Sequence, residues 1–377
     1  YPFGRHYFDP VLQHNGIEEK CAGYCTDIFA AAAIRFIEEH RTKPFFAYLA
    51  TNAPHSPLEI DEKYVAPYRK MGLDETVAKT YGMLANVDDN IGRVLQKLEE
   101  LGLSENTLVI FMTDNGAAGL DRSARFNAGL RAGKGTCYDG GIRVPFFVRW
   151  PRAVKPSMDI DRIAAHIDVF PTILQACGVP VPGAVRLDGV SLMPLLTDRN
   201  DPWPDRTLYF QWHRGDVPER FRDCAARSQK WKLINGRELY DMDADPAEAK
   251  DVASDYPDVV GSMRAGYEKW FDDVGAARGY APPRIHLGAP QENPVTLSRQ
   301  DWRGSESWRD PDIGHWQVSV VREGRYDIRI EFPPRLAEST AHFSLNSHER
   351  EKRLKPGASS CEFEAVPLGV GDGSLET

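Results

Sequence analysis

Short apolar runs alternate with amphipathic stretches through the first half of the chain, and this alternation restricts the possible folds more than any other feature. Three runs predict buried strands by their length and flanking loop residues: Phe45–Ala50, Thr107–Thr113 and Ile142–Trp150. Apolar residues at helical spacing predict a helix after Thr26, a second from Tyr81 to Leu98 with its stop at Gly102, and a third over Val169–Ala176. Because strands that alternate with helices form mostly parallel sheets, we predict an α/β fold with a mostly parallel sheet and helices on both faces.

The pattern changes near residue 200, where the proline-containing segment Asp201–Asp205 interrupts the alternation. Shorter apolar segments and a helix near Val259–Phe271 follow, as is typical of a small α+β subdomain. Alternating residues at Trp316–Val321 and Tyr326–Ile330 predict antiparallel strands around a turn at Glu323–Gly324. We therefore predict three regions: an α/β domain over 1–200, an α+β C-terminal subdomain over 201–283, and the start of a β-sandwich-like appendage over 284–377.

Composition excludes some classes of partner. Of the 377 residues, 42% are hydrophobic and 27% are charged, as in an ordinary globular protein. The formal net charge of -9 argues against nucleic acid, because nucleic acid is a polyanion. The apolar runs are far shorter than the roughly 20 residues that cross a bilayer, so we predict no membrane span. The six cysteines show no repeated spacing, which favours free thiols over a metal or disulfide framework.

Asp114 and Asn115 follow directly after the second predicted strand. Their carboxylate and amide oxygens suit a hard cation such as Ca²⁺ or Mg²⁺ better than Zn²⁺. The sequence Asp114-Asn115-Gly116 is equally typical of a simple turn, since Asn and Gly tolerate positive φ. The residues alone leave both interpretations open.

Two further polar side chains lie in predicted loops. His55 lies between two prolines, and a rigid loop of this kind aims an imidazole into a cleft. Lys134 lies between two glycines, which leave room for an anion to approach its ammonium group. An inert surface histidine and a flexible surface loop are the alternatives. Because sites form at the carboxyl ends of strands in such sheets, we predict that these two residues share one site with Asp114 and Asn115.

A series of segments resembles the sulfatase family of the alkaline-phosphatase superfamily. The resemblance covers roughly residues 20 to 255, and so many segments in order are more specific than any one of them. The segments are Pro44–Ala50 with Ala53–Pro57, Asp88–Leu95, Asn106–Gly116, Gly133–Pro145, His166–Leu174, Leu187–Leu192, and Trp231–Ile234 with Glu238–Asp241.

The resemblance implies an alkaline-phosphatase-like fold and Ca²⁺-dependent hydrolysis of a sulfate ester, with Mg²⁺ the less favoured metal. Asp114 and Asn115 would be metal ligands, while His55 and Lys134 would hold the sulfate or protonate the leaving oxygen. The substrate would be a sulfated small molecule or glycan, and family membership implies a periplasmic, secreted or lysosomal protein. A divalent ion with Lys and His stabilises the charge that develops on sulfuryl oxygens during transfer.

One departure from the family concerns the nucleophile. Sulfatases carry a Cys/Ser-x-Pro-x-Arg motif whose first residue becomes formylglycine, and no segment here matches it. The family's first acidic metal-binding pair is not visible either, and Asp88 and Asp89 lie on a predicted amphipathic helix rather than after a strand. The chain also begins abruptly at Tyr1. We therefore expect an N-terminally incomplete sulfatase that is inactive alone, with its formylglycine outside these residues.

Two other functions remain open. A phosphodiesterase or phosphonate hydrolase of the same superfamily would act on a group of similar shape and charge, although Asn115 argues against a two-zinc phosphatase. A non-catalytic carbohydrate-binding remnant would use aromatics of the appendage, namely Trp302, Trp308 and Trp316.

Specificity would come from two loops, Ala117–Asn127 and Gln211–Arg222. Their candidate contacts to an anionic substrate are Arg122, Arg125, His213 and Arg214.

Overall fold

A computed structural model of the protein describes residues 6–119, 125–197, 203–213, 215–298, 301–304 and 314–377. The chain forms two compact units. The first contains the described residues up to Trp212 together with Glu219–Asp273, and the second contains His213–Pro218 together with Val274–Thr377. No helix among the described residues is long and apolar enough to cross a membrane.

The helices and the strands of the first unit alternate only in part. The described helices are α1 (Cys25–His40), α2 (Glu62–Lys70), α3 (Glu75–Glu100), α4 (Asp139–Ile142), α5 (Val169–Ala176), α6 (Met193–Leu196) and α7 (Pro257–Arg278). The strands of this unit are β1 (Val11–His14), β2 (Ile17–Lys20), β3 (Val109–Met112), β4 (Phe146–Arg149), β5 (Leu208–Gln211), β6 (Cys224–Arg227), β7 (Trp231–Ile234) and β8 (Glu238–Asp241).

Local sequence signals define the long helix α3. The carboxylate of Asp74 accepts a hydrogen bond from the Val77 N–H at 3.0 Å and so caps the first turn. At the other end Gly102 has a φ of 68°, and the Leu103 N–H donates to the Leu98 carbonyl at 2.8 Å. The buried face of α3 packs Met83 against the apolar cluster around α1. The predicted helix and its stop at Gly102 are therefore confirmed.

The predicted α/β fold is confirmed by the helices and strands of the first unit, but parallel pairing is wrong for the two strands described between residues 109 and 149. β3 and β4 pair antiparallel, with Met112 opposite Phe146 and Val109 opposite Arg149. The connection between them holds only the four-residue helix α4, among its described residues, and no long crossover helix. Since a parallel pair needs a crossover, a strand that follows this connection returns beside its partner in the opposite direction.

The segment Phe45–Ala50 was predicted as a strand, and this prediction is also wrong. The residues form no ladder with any described strand. Phe46 is 69% exposed and Tyr48 is 78% exposed, so their alternation buries neither side chain. An apolar run becomes a strand only where a neighbouring strand accepts its backbone hydrogen bonds, and the run itself does not specify that neighbour.

The second half of the first unit is an antiparallel sheet with a helix packed on it. The strands follow chain order, β5-β6-β7-β8, and each pairs antiparallel with the next. Leu233 and Leu239 on this sheet share an apolar cluster with Met263 and Tyr267 of α7. Neighbouring antiparallel strands need only short connections, which is why a sequence with alternating segments at short intervals forms this meander.

The second unit contains the end of α7 and, among its described residues, seven strands. They are β9 (Ile285–Leu287), β10 (Trp316–Val320), β11 (Gly324–Glu331), β12 (Ser339–Leu345), β13 (His348–Leu354), β14 (Ser360–Leu368) and β15 (Gly371–Glu376). One sheet has the order β13-β12-β15-β10-β9, and β11 pairs with β14 in another. Val318 and Phe343 of the first sheet share a core with Phe363 and Val366 of the second. Two sheets thus enclose one apolar layer.

The predicted hairpin around Glu323–Gly324 is wrong, although both of its strands exist. β10 pairs with β9 and β15, whereas β11 pairs with β14. The chain crosses from one sheet to the other between β10 and β11, so these two neighbours in sequence are not partners.

The tryptophans considered for sugar binding are part of this core. Trp316 is buried and its Nε1–H donates to the Ser298 carbonyl at 2.7 Å. Trp302 packs edge-on against Trp316 with ring centroids 4.5 Å apart. Trp308 lies outside the described residues. A buried indole offers no face to a ligand, so Trp316 does not serve as a sugar platform.

Candidate active site

Asp114 and Asn115 lie in the turn that follows β3. Asp114 is exposed, and one of its carboxylate oxygens, Oδ1, accepts a hydrogen bond from the Asn115 N–H at 2.8 Å. The Asn115 side-chain nitrogen donates to the Gly116 carbonyl at 3.1 Å. This hydrogen bond uses the amide nitrogen of Asn115, so its amide oxygen remains for another donor or a cation.

The Gly-rich loop, defined here as residues 131–143, lies directly against this turn. The Lys134 N–H donates to the Ala117 carbonyl at 2.9 Å, and the Gly116 N–H donates to the Gly141 carbonyl at 2.9 Å. Lys134 itself is exposed. Two backbone hydrogen bonds therefore join the loop that carries Lys134 to the turn that carries Asp114 and Asn115.

Glycine is required where the loop meets the turn. A Cβ on Gly116 would lie 1.8 Å from the Gly140 carbonyl oxygen, and a Cβ on Gly140 would lie 2.1 Å from the Ala132 carbonyl oxygen. Only glycine allows backbones to approach this closely. On the outer side, a Cβ on Gly135 would lie 3.9 Å from the Trp212 ring, which places this indole next to Lys134 in the loop.

His166 is a site neighbour that sequence reasoning left without a role. Its Nε2 lies 2.7 Å from the Thr113 carbonyl oxygen, directly before Asp114. It begins a short 3₁₀ turn, His166–Asp168, in which Asp168 is buried. Asp168 accepts hydrogen bonds from the Ala165 N–H at 2.8 Å and from Arg206. One feature of the sequence could have pointed to His166: it lies two residues before Asp168, at the start of a helical turn.

His55 lies in a separate loop. Its Nδ1 is 2.8 Å from the Ser56 carbonyl oxygen, and its own carbonyl accepts a hydrogen bond from the Tyr7 hydroxyl at 2.9 Å. The imidazole is exposed. Of the described residues, Asp114, Asn115 and Lys134 make no hydrogen bond with His55. Backbone hydrogen bonds join the loop of Lys134 to the turn of Asp114 and Asn115, and a site shared by these three residues and His55 stays a prediction.

The remaining candidates are the two aspartates of α3 and the residues of the two specificity loops. Asp88 and Asp89 are exposed on α3, and Asp89 accepts a hydrogen bond from the Tyr64 hydroxyl at 2.8 Å, so they lie on a helix surface as expected. In the two candidate specificity loops, His213 is exposed, while Arg122 and Arg214 lie outside the described residues.

The oxygens of Asp114 and Asn115 can be compared with the ligands that a metal ion requires. Among the described residues, no group of three or more His, Cys, Asp or Glu side chains is arranged to hold a metal ion. Asp114 and Asn115 offer a carboxylate and an amide oxygen from adjacent positions, which are ligands that Ca²⁺ accepts. Since Ca²⁺ takes about six to eight oxygens, these two residues fit as part of a coordination sphere.

Comparisons with known proteins point to one family. A family model described as Sulfatase matches residues 3–179, and one described as N-sulphoglucosamine sulphohydrolase, C-terminal, matches residues 132–269. An uncharacterized sulfatase, YdeN, of Escherichia coli is 31% identical over 207 residues, which cover 54% of this chain and 36% of that protein. Human arylsulfatase A is 31% identical over 237 residues, which cover 62% of this chain and 43% of the relative.

A solved structure shows the same fold. The crystal structure of Ps i-CgsB in complex with k-i-k-neocarrahexaose is 30% identical and superposes with a TM-score of 0.64. The match covers 72% of this chain and 60% of that one. The chain spans less than half the length of the two curated relatives, 36% and 43%. The two family models together span residues 3–269, and the chain belongs to the sulfatase family.

Proposed function

We propose that this protein is a sulfuric ester hydrolase and that its described residues supply one side of the active site. The observation that carries this proposal is the pair of backbone hydrogen bonds between the Gly-rich loop and the turn after β3. They join the loop that carries Lys134, a cation, to the turn that carries the oxygen ligands of Asp114 and Asn115, which supports a shared site. A sulfate ester needs positive charge around its oxygens, and this arrangement provides it.

Lys134 acts on the sulfate as a point charge. Its ammonium group is exposed, so it is accessible to a substrate oxyanion, and its backbone is held by the bond to Ala117. Binding of a sulfuryl group there neutralises the charge that grows on the oxygens as the ester bond breaks.

His55 is proposed to hold the sulfate or to protonate the leaving oxygen. Because its Nδ1 lies 2.8 Å from the Ser56 carbonyl, which accepts a hydrogen bond, Nδ1 carries a proton. Nε2 is therefore the nitrogen that faces the substrate, and it donates a proton to the leaving oxygen only when the ring carries a second proton as imidazolium.

The proposal includes a divalent metal ion, because two of the candidate residues carry oxygen ligands. Asp114 and Asn115 would hold Ca²⁺, with Mg²⁺ less favoured because it demands tighter octahedral geometry. Bound Ca²⁺ would supply positive charge next to the sulfate. Asn115 in place of a histidine supports a hard cation over Zn²⁺.

The nucleophile in this proposal is a formylglycine outside these residues, because the sequence holds no Cys/Ser-x-Pro-x-Arg segment. A carbohydrate sulfate is the proposed substrate class. The support is the similarity to a structure that was solved with k-i-k-neocarrahexaose.

The test measures sulfate release from an aryl sulfate and from a sulfated oligosaccharide. The polypeptide used carries this chain together with a formylglycine-bearing segment. We expect release that depends on Ca²⁺, and we expect none from the 377 residues alone. Lys134→Gln should lower kcat/KM by about a hundredfold or more, since one charged stabilising contact is worth about 2.7–4 kcal/mol in such sites.

Asp114→Asn tests the metal separately, because it should raise the Ca²⁺ concentration needed for activity while leaving Lys134 in place. A phosphonate monoester and a phosphodiester serve as parallel substrates. Faster turnover of either one than of every sulfate ester would replace the proposed activity with phosphoryl-group hydrolysis on the same fold.

A further inference from the structure

A buried ionic bridge lies beneath the Gly-rich loop. Lys232 of β7 is 0% exposed, yet it carries an ammonium group. Its Nζ lies 2.6 Å from Asp139 Oδ1 and 2.8 Å from Glu248 Oε1. The contact with Glu248 lacks hydrogen-bond geometry and is ionic in character. One cation therefore joins two buried carboxylates that come from different segments.

The bridge ties the C-terminal end of the loop to the four-stranded sheet. Asp139 begins α4 within the loop, five positions after Lys134, and Lys232 lies in the centre of the sheet. The Asp139 N–H also donates to Glu248 Oε2 at 2.7 Å. Glu248 thus contacts both the backbone of Asp139 and the cation that binds the Asp139 side chain.

A second set of contacts ties the other end of the loop to the same region. Arg131 donates from Nη1 to the Tyr240 hydroxyl at 2.8 Å and to the Glu248 carbonyl at 2.6 Å. Its guanidinium lies 4.0 Å from the centroid of the Tyr138 ring. The Arg131 end of the segment that carries Lys134 is therefore attached to β8 and Glu248, and the Asp139 end is attached to β7 and Glu248.

Stability alone does not account for buried charges of this kind. Removing three charged groups from water costs several kcal/mol for each ion, and apolar side chains of similar volume would fill the space at no such cost. What ionic contacts provide is direction: they fix the position of Asp139 relative to the sheet. The Lys134 side chain makes no hydrogen bond or ion pair with the described residues, and the bond to Ala117 involves only its backbone.

We propose that Lys232, Asp139 and Glu248 are positioning residues that set Lys134 for binding a sulfate oxyanion. The inference rests on the proposed function, because it takes Lys134 as a sulfate-binding group. The sheet β5-β6-β7-β8 then serves the active site through the bridge, without any side chain of its own touching the substrate.

The experiment measures binding of inorganic sulfate to the full chain by calorimetry at saturating Ca²⁺, together with hydrogen exchange of the loop amides. Glu248→Ala removes the acceptor of the Asp139 N–H and the carboxylate beside Lys232. We expect sulfate affinity to fall at least about tenfold and the amides of residues 131–143 to exchange faster. Glu248→Gln keeps the shape and one acceptor for the Asp139 N–H, so we expect affinity within about threefold of the wild type.

Tyr267→Phe is the matched control. It removes a buried hydroxyl that bonds to Gln211 in the core between the four-stranded sheet and α7. Neither Tyr267 nor Gln211 belongs to the Gly-rich loop. Sulfate affinity should stay within about twofold of the wild type. An equal loss of affinity in Tyr267→Phe and Glu248→Ala would overturn the proposal, because general destabilisation would then explain both.

Lys134→Gln separates the two levels of inference. If Lys134→Gln weakens sulfate binding while Glu248→Ala binds like the wild type, the positioning role is wrong and the proposed function survives. If Lys134→Gln binds sulfate unchanged, the proposed function fails first. Should Glu248→Ala not yield folded protein, the charge-balanced pair Lys232→Met with Glu248→Met replaces it, with the same outcomes deciding.

Discussion

Cys137 shows how the fold sets the chemistry of a single residue near the site. All six cysteines are free thiols, and Cys137 is only 5% exposed, with its Sγ donating to the Asp223 carbonyl at 3.0 Å. Burial, and then the neighbouring Cys224 thiol, raises the pKa of Cys137 to about 12. At pH 8 roughly one molecule in ten thousand therefore carries the reactive thiolate at this position.

We predict that iodoacetamide at pH 8 modifies the exposed Cys177 much faster than Cys137. Mass spectrometry of peptides taken at intervals gives both rates in one sample. In urea the pKa of Cys137 returns to its ordinary lower value, so the two rates should converge. Equal rates in the folded protein would show that burial does not protect this thiol.

At the scale of elements, the contact between the Gly-rich loop and the turn after β3 is possible because residue 116 is a glycine and has no Cβ. Gly116→Ala puts a Cβ within 1.8 Å of the Gly140 carbonyl oxygen, so the loop and the turn must separate. We expect the free energy of unfolding to fall by about 1–3 kcal/mol, as in other overpacked sites. Urea denaturation measures this change, and sulfate binding should weaken with it.

Gly92→Ala is the comparison for that change. Gly92 lies inside α3, and a Cβ there would meet nothing within 4 Å. Alanine is the better helix former, so this substitution should raise the free energy of unfolding by about 0.5–1 kcal/mol. If both glycine variants destabilised the protein equally, the close approach at Gly116 would not be the cause.

At the scale of the whole molecule, each compact unit has its own apolar core. Phe343 is 0% exposed in the core of the second unit, and Leu239 is 0% exposed in the first. We predict that Phe343→Ala lowers the stability of the second unit by about 3–5 kcal/mol, and that Leu239→Ala lowers that of the first by about 2–5 kcal/mol.

Hydrogen exchange measured on separate peptides gives the amide exchange rates of the two units independently. Each substitution should accelerate exchange in its own unit and leave the most protected amides of the other unchanged, because distant sites without shared contacts act independently. Faster exchange throughout the chain in either variant would mean that the two cores unfold as one.

Local patterns predicted the helices well and the site only in part. The helix after Thr26, the long helix that stops at Gly102 and the helix Val169–Ala176 all appear as α1, α3 and α5. Helical hydrogen bonds join residues four apart, so the information lies within each segment. Asp114, Asn115 and Lys134 were visible for a similar reason, since turn chemistry and glycine flanks are local features.

Pairing and burial were decided by the tertiary structure. Nothing within Phe45–Ala50 specifies a neighbouring strand, and nothing within β10 and β11 states that they lie in different sheets. Lys232 follows a tryptophan in a short strand, where a surface lysine is the ordinary expectation, yet it is buried between Asp139 and Glu248. The sequence by itself determined the family and the helices, because these depend on local order along the chain. Only the tertiary structure decided which strands pair and which charges are buried, because both depend on residues far apart in sequence that meet only after folding.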